Sequence, residues 1–115
     1  MTTPIEKQGP YLIATVQSAL HDGDLADLHD TVICRLDEDG ADAVIVDVAG
    51  LDVLDSFAAR TFRTLTRDAG RRGARTMVVG LQPGVATAMA RIGLTLDGTL
   101  VAANVEAGLR LLGRQ

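Results

Sequence analysis

Residues 43–48, Ala-Val-Ile-Val-Asp-Val, form a short β-branched run with one charge, the pattern of a strand buried on both faces. Beyond Gly50 the hydrophobic period changes from two to about 3.6 residues. From Ser56 onward, Ala58, Phe62, Leu65 and Ala69 share one helical face. Asp55 or Ser56 is the expected N-cap, its side-chain oxygen accepting an amide of the first turn. Upstream, residues 5–8 and 11–16 read as two short strands around a Gly9-Pro10 turn, because Pro10 has no N–H for a central ladder. His21-Asp-Gly-Asp24 is polar punctuation, with Asp24 as a cap. The first helix follows, with Leu25, Leu28, Val32 and Leu36 on one stripe and Gly40 as its stop.

Downstream, Gly70 and Gly73 with Arg71-Arg72 mark the end of the second helix, where arginine complements the dipole. Residues 76–79 are a further buried strand ended by Gly80. Gln82-Pro83 opens a third helix, proline taking its favoured first-turn position. Val85, Met89 and Ile92 line its inner face and Gly93 closes it. Residues 100–102 make a last short strand, and residues 105–112 a final helix with Leu109 and Leu112 inward. The order β-β-α-β-α-β-α-β-α predicts an α/β fold: a mostly parallel central sheet with an antiparallel first strand, packed with four helices.

Length and composition narrow this picture. A chain of 115 residues makes one domain, 1–115, able to bury a core without metal or disulfide staples. The only aromatics are Tyr11, Phe57 and Phe62, which argues against a stacking platform for single-stranded nucleic acid. A single cysteine, Cys34, excludes an intrachain disulfide and fits a reducing compartment. It lies opposite the apolar stripe of its helix, so it is expected to be partly exposed. No apolar run approaches the ~20 residues of a membrane span, and the amino terminus lacks the regions of a signal peptide. The expectation is a cytoplasmic protein with no membrane or nucleic-acid partner.

Net charge is −4, unevenly spread. Residues 1–55 hold twelve acids against Lys7 and Arg35, and residues 56–115 hold three acids against nine arginines, so the halves carry −10 and +6. Such asymmetry suits docking between unlike faces. Arg60, Arg63, Arg67 and Arg71 form a stripe on the outward face of the Ser56 helix, a solvated face by default and a protein-docking surface as the alternative.

No catalytic constellation emerges. His21 and His29 lack metal-ligand spacing and read as solvated. There is no Walker loop and no Gly-x-Gly-x-x-Gly. Gly80-Leu-Gln-Pro-Gly84 opens a helix and so could meet an anion, although a structural turn explains it as well. A phospho-receiver domain would put an acid at the end of a central strand, as Asp47 is, but also needs an early acidic pair and a late lysine. The only lysine is Lys7. What remains is Ser56 at a loop-to-helix corner with Asp52 and Asp55, bounded by Leu54 and Phe57, read here as exposed apolars. Capping does not require apolar neighbours, whereas a recognition patch around a modifiable hydroxyl uses them.

Val44-Ile-Val-Asp-Val, Val53-Leu-Asp-Ser-Phe57 and Gly73-Ala-Arg-Thr-Met-Val-Val-Gly-Leu-Gln-Pro83, at this spacing, resemble the STAS domain family of anti-sigma-factor antagonists over essentially the whole chain. Simple antagonists of the RsbV and SpoIIAA kind continue Asp-Ser-Ser/Thr-Gly. Asp55-Ser-Phe-Ala58 departs from that and is more similar to the RsbS-type stressosome branch. RsbR-type relatives carry a second phosphorylatable threonine in the third helix. Here Ala88 stands at the matching position with Thr87 beside it, which makes Thr87 a second candidate phosphosite. The resemblance implies a non-enzymatic protein with no cofactor and no metal, phosphorylated on Ser56 by a GHKL-type, RsbT-like serine/threonine switch kinase. Asp52, Leu54, Asp55 and Phe57 would form the kinase-binding surface. It also implies assembly with RsbR-like paralogues and reversal by a PP2C-type phosphatase. A simple anti-sigma antagonist and a small-ligand-binding module using Gly80–Gly84 are the other function classes.

Overall fold

The computed structural model describes residues 4–16, 22–51, 53–91, 96 and 98–113. Its elements are β1 (Ile5–Gln8), β2 (Tyr11–Thr15), α1 (Asp22–Asp39), β3 (Ala43–Asp47), α2 (Ser56–Gly70), β4 (Arg75–Val79), α3 (Pro83–Arg91), β5 (Leu100–Ala102) and α4 (Val105–Gly113). The expected order is therefore observed, and most boundaries fall within one residue. The larger shift is at α1, which begins at Asp22 rather than after a cap at Asp24. Short polar residues suit both a cap and a first turn, so sequence places such a start only to within a residue or two. His21, Asp52, Ile92 and Gly93 lie outside the described residues.

The five strands form one sheet in the order β1-β2-β3-β4-β5. The β1–β2 pair is antiparallel, with Ile5 opposite Ala14, and the remaining pairs are parallel. Alternation along β3 builds two cores. Val44 and Val46 join Leu12, Leu28, Val32, Phe62 and Leu65 in the larger cluster, beneath α1 and α2. Ala43 and Ile45 turn to the opposite face and meet Met77, Val79 and Leu112 under α4. The stripes expected on both long helices are all buried, and Phe62 is the largest side chain with no exposure. Leu112 is buried as expected, while Leu109 packs against the smaller cluster from its edge. Gly108 sets how close α4 can lie: a Cβ there would stand 2.7 Å from Met77 Sδ and 3.2 Å from Val79 Cγ1.

One buried polar group stands out among the described residues. Thr76 on β4 is 2% exposed, and its Oγ1 has no hydrogen-bond partner. A buried hydroxyl without a partner costs roughly 1–3 kcal/mol relative to an apolar group. Thr76→Val, close to isosteric, is therefore expected to raise stability by about 1 kcal/mol, read as a higher urea midpoint at unchanged slope. An equal or lower midpoint would mean that the hydroxyl is satisfied in solution.

Candidate functional site: the corner at Ser56

Three local devices build the corner between β3 and α2. Asp47 at the end of β3 accepts the Ala49 amide on Oδ1 at 3.0 Å, turning the chain at once. Leu51 N–H donates to the Val48 carbonyl at 2.9 Å, and Leu51 and Leu54 anchor the loop in the larger core at 4% and 5% exposure. Asp55 then caps α2: its backbone is extended, and its Oδ1 accepts the Ala58 amide at 2.8 Å. Of the two expected caps, Asp55 holds the position. Ser56 is the first helical residue, exposed, and its hydroxyl has no partner among the described residues.

The burial of Leu54 corrects the expectation that it is an exposed apolar. Leu51 and Leu54 both turn into the larger core, and Val53 beside Leu54 turns outward at 71% exposure. Val53 is thus the exposed apolar side chain at this corner, which the sequence reading did not single out. Phe57 is half-buried and packs against the larger core rather than standing free. Asp55 remains exposed while its carboxylate serves the cap.

A groove of about 300 Å³ runs from this corner to α3. Val53, Asp55 and Ser56 form one wall, and Gly84, Ala88 and Met89 the other. Ala88 offers no hydroxyl there, and Thr87 is exposed on α3 without lining the groove. The Gly80–Gly84 turn has a structural task at this place. Gln82 Nε2 donates to the Ala49 carbonyl at 2.9 Å, tying the loop before α2 to the start of α3, and Pro83 opens α3 as expected. Gly80 adopts a positive φ of 78°, and the space beside its Cα is filled by Ala49 and Asp47.

The helix pair α1 and α2 is clasped by a contact not expected from sequence. His29, read above as solvated, is half-buried and bonds Asp68 Oδ2 through Nε2 at 2.8 Å and Asp30 Oδ1 through Nδ1 at 3.1 Å. Arg72 Nε adds a second tie to Asp37 at 2.7 Å. No spacing rule links residues 39 positions apart, so this contact was not legible in advance. The His29 hydrogen bond holds the Asp68 carboxyl below its ordinary value, against an opposing effect of burial and with help from Arg67 and Arg71. A depressed folded-state value stabilises the fold at pH above the ordinary carboxylate range. That stability is lost as pH falls through the folded value, below about 4. Asp68→Asn should therefore unfold at lower urea than wild type at pH 7, with the gap closing below about pH 4. A gap that stays constant across the acid range would assign the loss to packing instead.

On the outer face of α2, Arg60, Arg67 and Arg71 are exposed and Arg63 partly so. Arg67 and Arg71 lie 3.9 and 3.8 Å from Asp68 Oδ1. Cys34 is exposed, and its thiol donates to Glu38 at 3.5 Å, which holds it above its ordinary value. No group of three His, Cys, Asp or Glu side chains able to hold a metal occurs among the described residues. No helix among them is long and apolar enough to cross a membrane.

The parallel sheet with its antiparallel first strand is the architecture, and Ser56 stands at the start of the helix that follows the central strand. The STAS domain family model matches residues 2–108, and the chain belongs to that family. A Ser-to-Glu variant of RsbS from Moorella thermoacetica superposes with a TM-score of 0.82 at 24% identity, over 98% of each chain. A chain of the stressosome, described as a signal integration and transduction hub, gives 0.81 at 27% identity over 96% of each. The anti-sigma factor antagonist SpoIIAA in its unphosphorylated form gives 0.73 at 16% identity over 97% of each. No curated protein matches the chain significantly.

Proposed function

We propose that this chain is a cytoplasmic phospho-switch of a partner-switching stress pathway, an RsbS-like stressosome subunit. Unmodified, it sequesters a GHKL-type serine/threonine kinase; phosphorylated on Ser56, it releases it. The observation that carries this reading is the division of labour at the corner. Asp55 does the capping, which leaves Ser56 exposed, with no hydroxyl partner among the described residues, at the mouth of a largely apolar groove. Family membership and the likeness to a stressosome chain support it. The domain is the substrate: Ser56 Oγ takes the γ-phosphoryl group of ATP as its bond to the bridging oxygen breaks and ADP leaves, and the serine proton passes to a base on the kinase.

Val53, Asp55 and Phe57 are the contacts the kinase would use, with Leu54 acting from beneath as the anchor of the loop and Asp52 adding charge. Thr87 stays a second candidate site, exposed beside the groove. RsbR-like paralogues would share the assembly, and a PP2C-type phosphatase would reset it.

The test is phosphorylation in vitro by the switch kinase of the same genome, with wild type and Ser56→Ala compared by intact mass. One phosphate on wild type and none on the variant is expected. Phosphate retained on Ser56→Ala would move the site, with Thr87→Ala examined next. No phosphate on either protein would overturn the reading. Partners recovered by pull-down separate a stressosome subunit from a simple anti-sigma antagonist.

A further inference from the structure

Arg60 lies one helical turn beyond Ser56 on α2. At a spacing of four residues, side chains on a helix surface are neighbours with Cβ atoms about 5–6 Å apart. Both residues are exposed, and neither makes a hydrogen bond or ion pair among the described residues. The rest of the basic stripe is differently placed. Arg67 and Arg71 stand beside Asp68, Arg72 bonds Asp37, and Arg63 is two turns from Ser56. In the unmodified domain Arg60 forms part of the wall of a second groove, about 270 Å³, between α1 and α2, with Ala26, His29, Asp30, Phe57 and Thr64.

We propose that Arg60 is the internal partner of a phosphate on Ser56, leaving the α1–α2 groove to grip the phosphate from the same helix. This rests on Ser56 being the modified residue. A phosphoserine brings a charge of about −1.5 to −2 and three acceptor oxygens. A guanidinium presents paired N–H donors that match two of those oxygens. The order, anion towards the amino terminus and cation four residues later, is the favourable one for a helix. Asp55, the neighbouring acid, has Oδ1 committed to the Ala58 amide, and its single charge attracts the cation less than a phosphate of about −1.5 to −2. Modification at one groove thereby changes the wall of the other, and α2 carries both events.

The test uses the full chain with phosphoserine placed at position 56 during translation, so that no kinase is required. The second ionisation of the phosphate is followed by ³¹P NMR in wild type, Arg60→Gln and Arg60→Lys, with circular dichroism confirming that each is folded. In wild type that ionisation should fall about half a pH unit below its value in Arg60→Gln, the size expected of an exposed ion pair. Arg60→Lys should fall between the two, and the gap should close in about 1 M salt. The Arg60 Nε–H signal should also move between the serine and phosphoserine forms. Superimposable titrations together with an unmoved Nε–H signal would overturn the proposal. Failure of a kinase to modify Ser56 would count against the proposed function alone and leave this measurement standing.

Discussion

Phosphate on Ser56 is expected to weaken binding of the switch kinase by 100-fold or more, while the domain itself stays folded. The two effects separate because they draw on different surroundings. Within the domain the phosphate sits at the amino terminus of a helix, where the dipole contributes about 0.3–1 kcal/mol in its favour. Against a bound kinase it sits beside Val53 and Met89 at a groove rim. An interface packed there must strip water from a dianion. An arginine partner offsets only part of that charge, burying the remainder costs several kcal/mol, and about 2.7 kcal/mol already corresponds to 100-fold. Ser56→Ala, which removes the acceptor but not the shape, should bind as tightly as the unmodified domain. Ser56→Asp, with a single charge, should lose part of the affinity. Calorimetric titration of the kinase into each form decides the matter, and a phosphorylated domain that binds as well as the unmodified one would refute release by charge.

The largest loss of stability from a one-methyl change is expected at Gly80. Gly80→Ala combines two penalties. A φ of 78° places an L-residue in a region that costs about 1–2 kcal/mol. The new Cβ would also stand 2.9 Å from Ala49 Cβ, 3.0 Å from Asp47 Oδ1 and 3.1 Å from the Ala49 amide nitrogen. Two of those atoms belong to a backbone turn held by Asp47, so they cannot yield as a flexible side chain would. A total of about 2–4 kcal/mol follows, or a fall of about 10 °C in melting temperature for a domain of this size. Gly84→Ala is the contrast: a Cβ there meets nothing within 4 Å, inside a helix where alanine is favoured. It should leave the melting temperature unchanged or raise it. If both variants melt like wild type, the loop before α2 is not pressed against Gly80.

Most of the fold was legible because its signals are local and repeated. The switch from alternation to helical period between residues 48 and 56 reads directly as strand, loop and helix. Every residue named on the α1 and α2 stripes is buried. The corner was legible as a place in the fold but not as a surface. A loop has no period, so nothing local says whether Leu54 or Val53 faces solvent. The Gln82–Ala49 tie and the His29–Asp68 clasp join residues more than thirty positions apart. Only the sheet order brings them together. The roles of Asp52, Ser56 and Thr87 rest on family resemblance and remain for the experiments above.

The fastening of the Ser56 corner has a kinetic consequence. Leu51 and Leu54 are anchored, Ala49 is tied to Gln82, and Asp55 is already capping, so a partner meets these residues already held in place before contact. Association with such a surface falls in the ordinary range for rigid pairs, about 10⁵–10⁷ M⁻¹s⁻¹, with or without the phosphate. The modification would then act on the lifetime of the complex, and the time needed to switch would be set by how long the kinase stays.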